Sequence, residues 1–275
     1  MHERPSVPTA SVTFIGNATT LLRLGDFTLM TDPNFVPAGA RVHLGYGAWT
    51  RRVRDPALRM ADLPPLDGVL LSHLHDDHFD RVARAELPHR TPIFTTPQAQ
   101  RRLRQWQFRA VRGLGTWETY DWTRGGQQLR LTAVPGRHAP GLAGRLLPQV
   151  MGTVVELIVD GVCRLRVYLT GDTLCGPFLS EIPRRCGDID AMVVHLGGAR
   201  LLGLLLSMDD RHGVALTELI RPRLTIPVHY DDYTVCKSPL SDSLGRAREH
   251  GLAGIRPIAR GDTVDLPVRD GQRHR

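Results

Sequence analysis

The chain repeats one pattern: apolar and polar positions alternate, merge into short apolar runs, and break at a turn or at side chains that bind metals. Ser11-Val12-Thr13-Phe14-Ile15 reads as a strand, stopped by Gly16-Asn17. Thr20-Leu21-Leu22-Arg23-Leu24 and Phe27-Thr28-Leu29-Met30-Thr31 read as two more, with Gly25-Asp26 between them as a hairpin turn. Asp32-Pro33-Asn34 ends the third. Val69-Leu70-Leu71-Ser72 is a short apolar run of the kind buried on both faces. Further strands are expected at Pro92 to Thr95, Gln127 to Val134, Thr153 to Val159, Val162 to Thr170, Ile189 to Val194 and Leu224 to Val228, with short ones near Ile255 and Val264. Asp160-Gly161 marks a hairpin between two of them.

Helical signals fall between these strands. A helix starts at Phe79 and runs to Ala85. Thr96-Pro97 gives an N-cap followed by proline at the first helical position, and that helix ends near Gln107. Asp209 caps Asp210 to Ile220, although Gly213 weakens this helix. Ser238-Pro239 opens a last helix that reaches about His250. Each half of the chain begins with strands and moves on to strand–helix units.

One stretch resists assignment. Phe35 to Pro65 is irregular, and a loop of that length in a compact domain is functional or disordered. Its glycines and aromatics, Leu44-Gly45-Tyr46-Gly47 and Trp49, favour an ordered loop. It reads either as a lid over a pocket, with His43 and Tyr46 as substrate contacts, or as a surface excursion. A single domain is expected over residues 10–266, with flexible ends at 1–9 and 267–275.

Composition narrows the class. The 275 residues are 41% hydrophobic, enough for one sizeable core or two small ones. No apolar run approaches the roughly 20 residues of a membrane span; the richest, Ala191 to Met208, is interrupted by His195 and Arg200. Met1-His2-Glu3-Arg4-Pro5 lacks the apolar core of a secretory signal, so a cytoplasmic protein is expected. The net charge is +7, yet the basic residues are nearly all arginine, with Lys237 the sole lysine. Codon composition explains such a skew as well as selection for a partner does, and no added nucleic-acid domain is visible. The expected partner is therefore a small molecule, with anionic substrates allowed by the charge. Cys163, Cys175, Cys186 and Cys236 form no Cys-x-x-Cys pair and read as reduced thiols.

The chemistry is concentrated after Ser72. His73-x-His75-x-Asp77-His78 places three imidazoles and a carboxylate at the end of a buried strand. Burying so many polar groups without partners costs several kcal/mol, and a metal would satisfy most of them together. His138, Asp172 and His229 each also stand just past an apolar strand, and residues at one set of strand ends gather at one edge of a sheet. These residue types suit zinc, with manganese or iron as alternatives. Seven candidates are too many for one tetrahedral ion but suit two, with Asp172 the natural bridging carboxylate.

The motif His73-x-His75-x-Asp77-His78, with His138, Asp172 and His229, resembles the metallo-β-lactamase superfamily. Gly16-Asn17-Ala18-Thr19, Thr31-Asp32-Pro33, Gly171-Asp172-Thr173 and Val228-His229-Tyr230 are similar to the branch containing N-acyl-phosphatidylethanolamine phospholipase D and ascorbate-6-phosphate lactonase. The resemblance spans about Ala10 to Leu266. It implies an αββα sandwich of two mixed sheets flanked by helices. It also implies that His73, His75 and His138 hold one metal, that Asp77, His78 and His229 hold the other, and that Asp172 bridges them. Asp32 would orient a ligating imidazole.

Three positions depart from the family pattern. Asn17 stands where relatives often have histidine. Ser207 stands near a histidine thought to face substrate in the phospholipase-like members, which marks it as a substrate contact and weakens a phospholipid assignment. His195 stands where a small residue or proline is common, and reads either as a pocket acid or base or as a structural histidine.

The expected activity is a metal-dependent hydrolase that turns metal-activated hydroxide on a lactone, an ester or a phosphodiester, with Asp77 also orienting the nucleophile. The alternatives are a nuclease using the basic surface, an iron-dependent redox enzyme with the same ligands, and a non-catalytic binding protein.

Overall fold

Alternation in the first strands sends every second side chain to a different layer. The computed structural model describes residues 8–270 apart from 46, 140, 142–146 and 202. Strands β1 (Ala10–Gly16), β2 (Thr19–Leu24) and β3 (Phe27–Thr31) pair antiparallel, and the turn at Gly25-Asp26 joins the last two. A short antiparallel hairpin, β4 (Arg41–His43) with β5 (Trp49–Arg51), follows inside the long irregular segment. Strands β6 (Gly68–Leu70), β7 (Ile93–Thr95) and β8 (Val111–Gly113) then continue the first sheet in parallel.

The second sheet repeats that plan. Strands β9 (Thr119–Arg124), β10 (Gln127–Pro135), β11 (Met151–Val159) and β12 (Val162–Leu169) are antiparallel, with the turn at Asp160-Gly161. Strands β13 (Ala191–His195) and β16 (Leu224–Val228) add in parallel. Between them in sequence lies a small hairpin, β14 (Arg200–Leu201) with β15 (Leu204–Leu205). The chain returns to the first sheet with β17 (Thr263–Asp265) beside β1. The orders are β17-β1-β2-β3-β6-β7-β8 and β16-β13-β12-β11-β10-β9.

Helices cover the outer faces. Helix α1 (Arg81–Glu86) is capped by Asp80, and α2 (Pro97–Gln105) by Thr96. Their residues Ala83 and Leu103 pack with Ile15, Leu21, Met30, Val69 and Leu71 on one side of the first sheet. Helix α3 (Glu181–Cys186) and helix α4 (Asp210–Ile220), capped by Asp209, place Ile182, Leu216 and Ile220 against Val154, Tyr168, Met192 and Val194 of the second. Helix α5 (Leu240–Glu249) lies alongside α4. Between the sheets, Val12, Phe14, Leu22, Leu29 and Leu70 meet Leu131, Val155, Leu157, Val167 and Val193. This is the expected αββα sandwich. Strands buried on both faces account for the continuous apolar runs.

Several details correct the expectations. Strands β8 and β9 were not anticipated. Ile255 makes only an isolated bridge to Thr225. Past Leu266, Val268 packs on the inter-sheet core, and Arg269 Nε lies 2.8 Å from Asp190 Oδ1; residues 271–275 lie outside the described residues. The four cysteines are free and half-buried, and burial raises each thiol pKa. Among the described residues no helix is long and apolar enough to cross a membrane.

Candidate metal centre

The chain leaves β6 at Leu70 and turns His73, His75, Asp77 and His78 into a buried edge between the sheets. The second sheet delivers His138 after β10, Asp172 after β12 and His229 after β16, all buried. All seven predicted ligands are thus brought together, in overlapping groups whose ligand atoms lie within 4.8 Å of one another: His73–His75–His138, His73–His78–Asp172 and Asp77–His78–His229.

In the first group, His73 Nε2 and His138 Nε2 each lie 3.0 Å from His75 Nδ1. Nitrogens bound tetrahedrally at zinc distances stand about 3.3 Å apart, so small adjustments suffice. In the second group, His78 Nε2 lies 3.3 Å from Asp172 Oδ2, and in the third His229 Nε2 lies 3.3 Å from Asp77 Oδ2. Asp172 shares one cluster with His73 and His78, and its Oδ1 is buried without a hydrogen-bond partner. That placement fits a bridge between two ions.

The outer nitrogens show which inner atoms are available. His78 Nδ1 lies 3.0 Å from Asp32 Oδ2 and His73 Nδ1 lies 3.0 Å from Ser72 Oγ. His138 Nδ1 donates to Leu206 O at 2.7 Å, and His229 Nδ1 to Leu196 O at 3.0 Å. An imidazole that donates from Nδ1 keeps its Nε2 lone pair for a metal. His75 is turned the other way, with Nδ1 toward its two neighbours and Nε2 buried without a partner. His78 Nε2 and Asp77 Oδ1 are also buried and unpartnered. The orphaned His78 Nε2 and Asp172 Oδ1 fit the implied ions, and His75 would ligate through Nδ1.

The charges point the same way. Burial disfavours a charged His78, yet Asp172, Asp77 and Asp32 together push its pKa well above the imidazole range. His229 is raised to about 8: burial opposes this, while Asp172 and Asp77 outweigh it. Burial raises Asp32, but His78 and His195 overcome that and lower it to about 2. Three enclosed carboxylates therefore demand positive charge, which two divalent cations would supply.

Asp32 takes the supporting place expected of it. It accepts from Ser72 N at 2.6 Å and from Ser72 Oγ at 2.8 Å, and it orients His78. Its φ is +34°, and Asn17 and His229 are also left-handed, at +51° and +64°. Left-handed non-glycine residues cluster at sites held by their surroundings.

The remaining candidates fall elsewhere. His195 is buried, with Nδ1 3.1 Å from Thr170 Oγ1 and Nε2 3.5 Å from Asp32 Oδ2. Its ligand atom lies within 4.8 Å of those of Asp32 and His78, and its Nε2 is buried without a hydrogen-bond partner. Ser207 is fully buried and its Oγ accepts from Ala199 N at 3.0 Å. It closes the loop between β13 and α4. His43 N donates to Asp76 Oδ2 at 3.2 Å, and His43 Nε2 accepts from Gly47 N at 3.2 Å. The β4–β5 turn does overlie the centre, since a Cβ on Gly45 would sit 3.8 Å from His75 Nε2. Tyr46 lies outside the described residues.

Sequence reasoning missed the frame behind the ligands. Asn17 Nδ2 donates to Asp77 O at 2.6 Å and Asn34 Nδ2 to Asp76 O at 3.1 Å. Asp80, besides capping α1, accepts from Phe35 N at 2.5 Å and Val36 N at 2.6 Å, which ties the start of the irregular segment to the ligand loop. Asp80, next to the histidine motif and before a helix, carried a readable capping signal; the asparagines carried none.

A family profile described as "Beta-lactamase superfamily domain" matches residues 31–230. The chain is 22% identical over 231 residues to a metal-dependent hydrolase of Nanoarchaeum equitans, covering 82% of this chain and 98% of that one. It is 26% identical over 234 residues to N-acyl-phosphatidylethanolamine-hydrolyzing phospholipase D 1 of Caenorhabditis elegans, covering 80% of this chain and 64% of the worm protein. Its fold is similar to that of an isothiocyanate hydrolase from Delia radicum gut bacteria, with a TM-score of 0.79, 21% identity, and coverage of 94% and 99%.

Proposed function

Because the chain belongs to the beta-lactamase superfamily domain family, we propose that it is a metal-dependent hydrolase with two ions, zinc by preference, cleaving a lactone, an ester or a phosphodiester. One observation carries this reading. Four imidazoles are fixed from behind so that their inner nitrogens converge with Asp77 and Asp172.

His73, His75 and His138 would hold one ion, Asp77, His78 and His229 the other, and Asp172 both. Ions held there supply Lewis acidity and lower the pKa of bound water toward neutrality. The chain's own groups do the rest. Asp77 Oδ2 faces His229, which leaves Oδ1 to orient the attacking water and hold its proton. Asp32, Ser72, Leu206 and Leu196 keep the imidazoles in the ligating tautomer. The turn carrying Gly45 limits water around His75. The likeness to the worm phospholipase supports ester or phosphodiester chemistry within the branch named above.

The test is metal quantification of purified protein, coupled to a panel of lactone, carboxylic ester, phosphodiester, β-lactam and isothiocyanate substrates. About two transition-metal ions per chain and turnover of one class, both lost in His75→Ala, are expected. Protein that holds no transition metal and hydrolyses none of the panel overturns the reading. Iron, read by metal analysis and an optical spectrum, together with no hydrolysis of the panel, would move the assignment to redox chemistry.

A further inference from the structure

Arg137 immediately precedes the ligand His138 and is exposed. Its backbone is bolted to the loop that carries Asp172. Arg137 N donates to Thr173 Oγ1 at 2.9 Å, and Arg137 O accepts from Leu174 N at 2.8 Å. Its Cα is thereby fixed relative to the metal ligands on either side.

The guanidinium is held as well. Its Cζ stands 4.3 Å from the centroid of the Phe178 ring. Stacking occupies one face of the guanidinium plane and leaves the N–H edges to point outward. No carboxylate among the described residues pairs with Arg137; Arg84 and Arg112 likewise stack on aromatic rings without an acid, but neither lines a described cavity beside a candidate ligand. The residues outside the described set include one acid, Glu3.

Two cavities share this side chain. One, of about 470 Å³, is lined by Arg137 together with the ligand His138, Thr96, Thr116 and Gln149. The other, of about 370 Å³, is lined by Arg137, Leu174, Phe178, Leu205 and His212. A planar cation with unused donors, clamped at the junction of two cavities and adjacent to a metal ligand, matches the geometry of a carboxylate or phosphate monoester.

We infer that Arg137 is a specificity-determining residue that binds an oxyanion, a carboxylate or phosphate carried by the substrate away from the bond that is cut. This rests on the hydrolase reading for the neighbouring reaction but is tested apart from it. The preferred substrate is then an anionic ester, lactone or phosphodiester rather than a neutral one. The remainder of the molecule lies along one or both cavities, mixed in polarity on the His138 side and largely apolar on the Phe178 side.

The test uses metal-loaded protein and two probes that differ by one charge, monomethyl glutarate and dimethyl glutarate. Binding is measured by calorimetry for the wild type, Arg137→Gln, Arg137→Lys and a control on β2, the exposed Arg23→Gln, with metal content verified for each. The monoester should bind the wild type and the control about tenfold or more tighter than Arg137→Gln, as expected for loss of a charge-assisted hydrogen-bond pair. Arg137→Lys should fall between them, because it keeps the charge without the fork. Dimethyl glutarate should bind all four alike. Monoester affinities that agree within twofold between wild type and Arg137→Gln overturn the inference, and so does a wild type that binds no monoester. Release of methanol is scored separately. Arginine-dependent binding without hydrolysis leaves this inference standing and counts against the hydrolase reading for that ester.

Discussion

Arg52 Nη2 lies 3.3 Å from Asp232 Oδ1, and both side chains are wholly enclosed. Arg52 Nη1 also donates to Asn34 Oδ1 at 2.7 Å and to Asn34 O at 2.9 Å. Asp232 Oδ2 accepts from Asn17 N at 2.6 Å. Asn17 and Asn34 in turn hold the carbonyls of Asp77 and Asp76. The pair therefore braces the ligand loop from behind, on the side of the Asp77–His78–His229 group. Removing one partner of a buried pair costs about 3–5 kcal/mol, and less here, because Arg260 Nη2 also donates to Asp232 Oδ2 at 2.7 Å. Arg52→Met should lower thermal stability accordingly and halve the metal content, with the ion at Asp77, His78 and His229 lost first. Arg52→Lys should fall between, because it cannot reproduce the forked contacts. Equal loss of both ions would show a merely global role.

Asp32→Asn keeps the shape of the side chain but brings an amide N–H into a group that now only accepts. Its present donors are Ser72 N, Ser72 Oγ and His78 Nδ1, so at least one contact must be lost. Outer partners of metal-bound histidines are worth about 10–100-fold in affinity or activity. The expected outcome is metal affinity lower by that order, measured by competition with a chromogenic chelator.

His195→Asn separates bracing from proton transfer. A lost general acid or base costs about 10²–10⁴ in rate. From its place behind Asp32, His195 should instead affect metal affinity, with kcat at saturating metal changed less than about tenfold.

Chelation should destabilise the folded chain. Metal-binding energy adds to folding energy when only the folded state holds the site. Treatment with a strong chelator is expected to lower Tm, and adding back zinc to restore it. An unchanged Tm would mean that no ion is held by these residues in the purified protein.

Asp67 gives a pH signature remote from the centre. Burial raises its pKa, but the Arg124 side chain and the Thr28 N–H outweigh this and lower it overall. A carboxylate with a depressed folded pKa contributes stability that is fully present above its unfolded value of about 3.9. That stability is lost as pH falls through the folded value. Asp67→Asn should reduce Tm at neutral pH by a small amount and flatten the fall in Tm below about pH 4, as followed by circular dichroism.

What the chain made legible depended on where each residue's partners lie. The candidate ligands follow apolar strands, and strands buried on both faces are conspicuous, so the sandwich and the convergence of the seven side chains could be read. Strand β9 escaped because Thr119, Asp121 and Thr123 face out while only Tyr120 and Trp122 pack inward. That alternation is too polar to separate from a loop. Arg52 escaped because its counter-ion lies 180 residues away, and a guanidinium in an irregular segment is ordinarily solvated. His195 ends a parallel strand just as the candidate ligands do, and its side chain meets Thr170 and Asp32, contacts between distant segments that the sequence does not display. Ser207 was placed by resemblance alone, and its hydroxyl is taken up by Ala199 N.

Each proposed ion draws on both sheets. His73 and His75 come from the first sheet and His138 from the second; Asp77 and His78 come from the first and His229 from the second. During folding, neither half alone can assemble either coordination set. Metal capture must then follow docking of the two sheets, and it acts as a late lock on a chain whose N-terminal half has waited for its C-terminal half. In a refolding experiment, metal uptake should trail the burial of the inter-sheet core, and bound metal should slow unfolding more than it speeds folding.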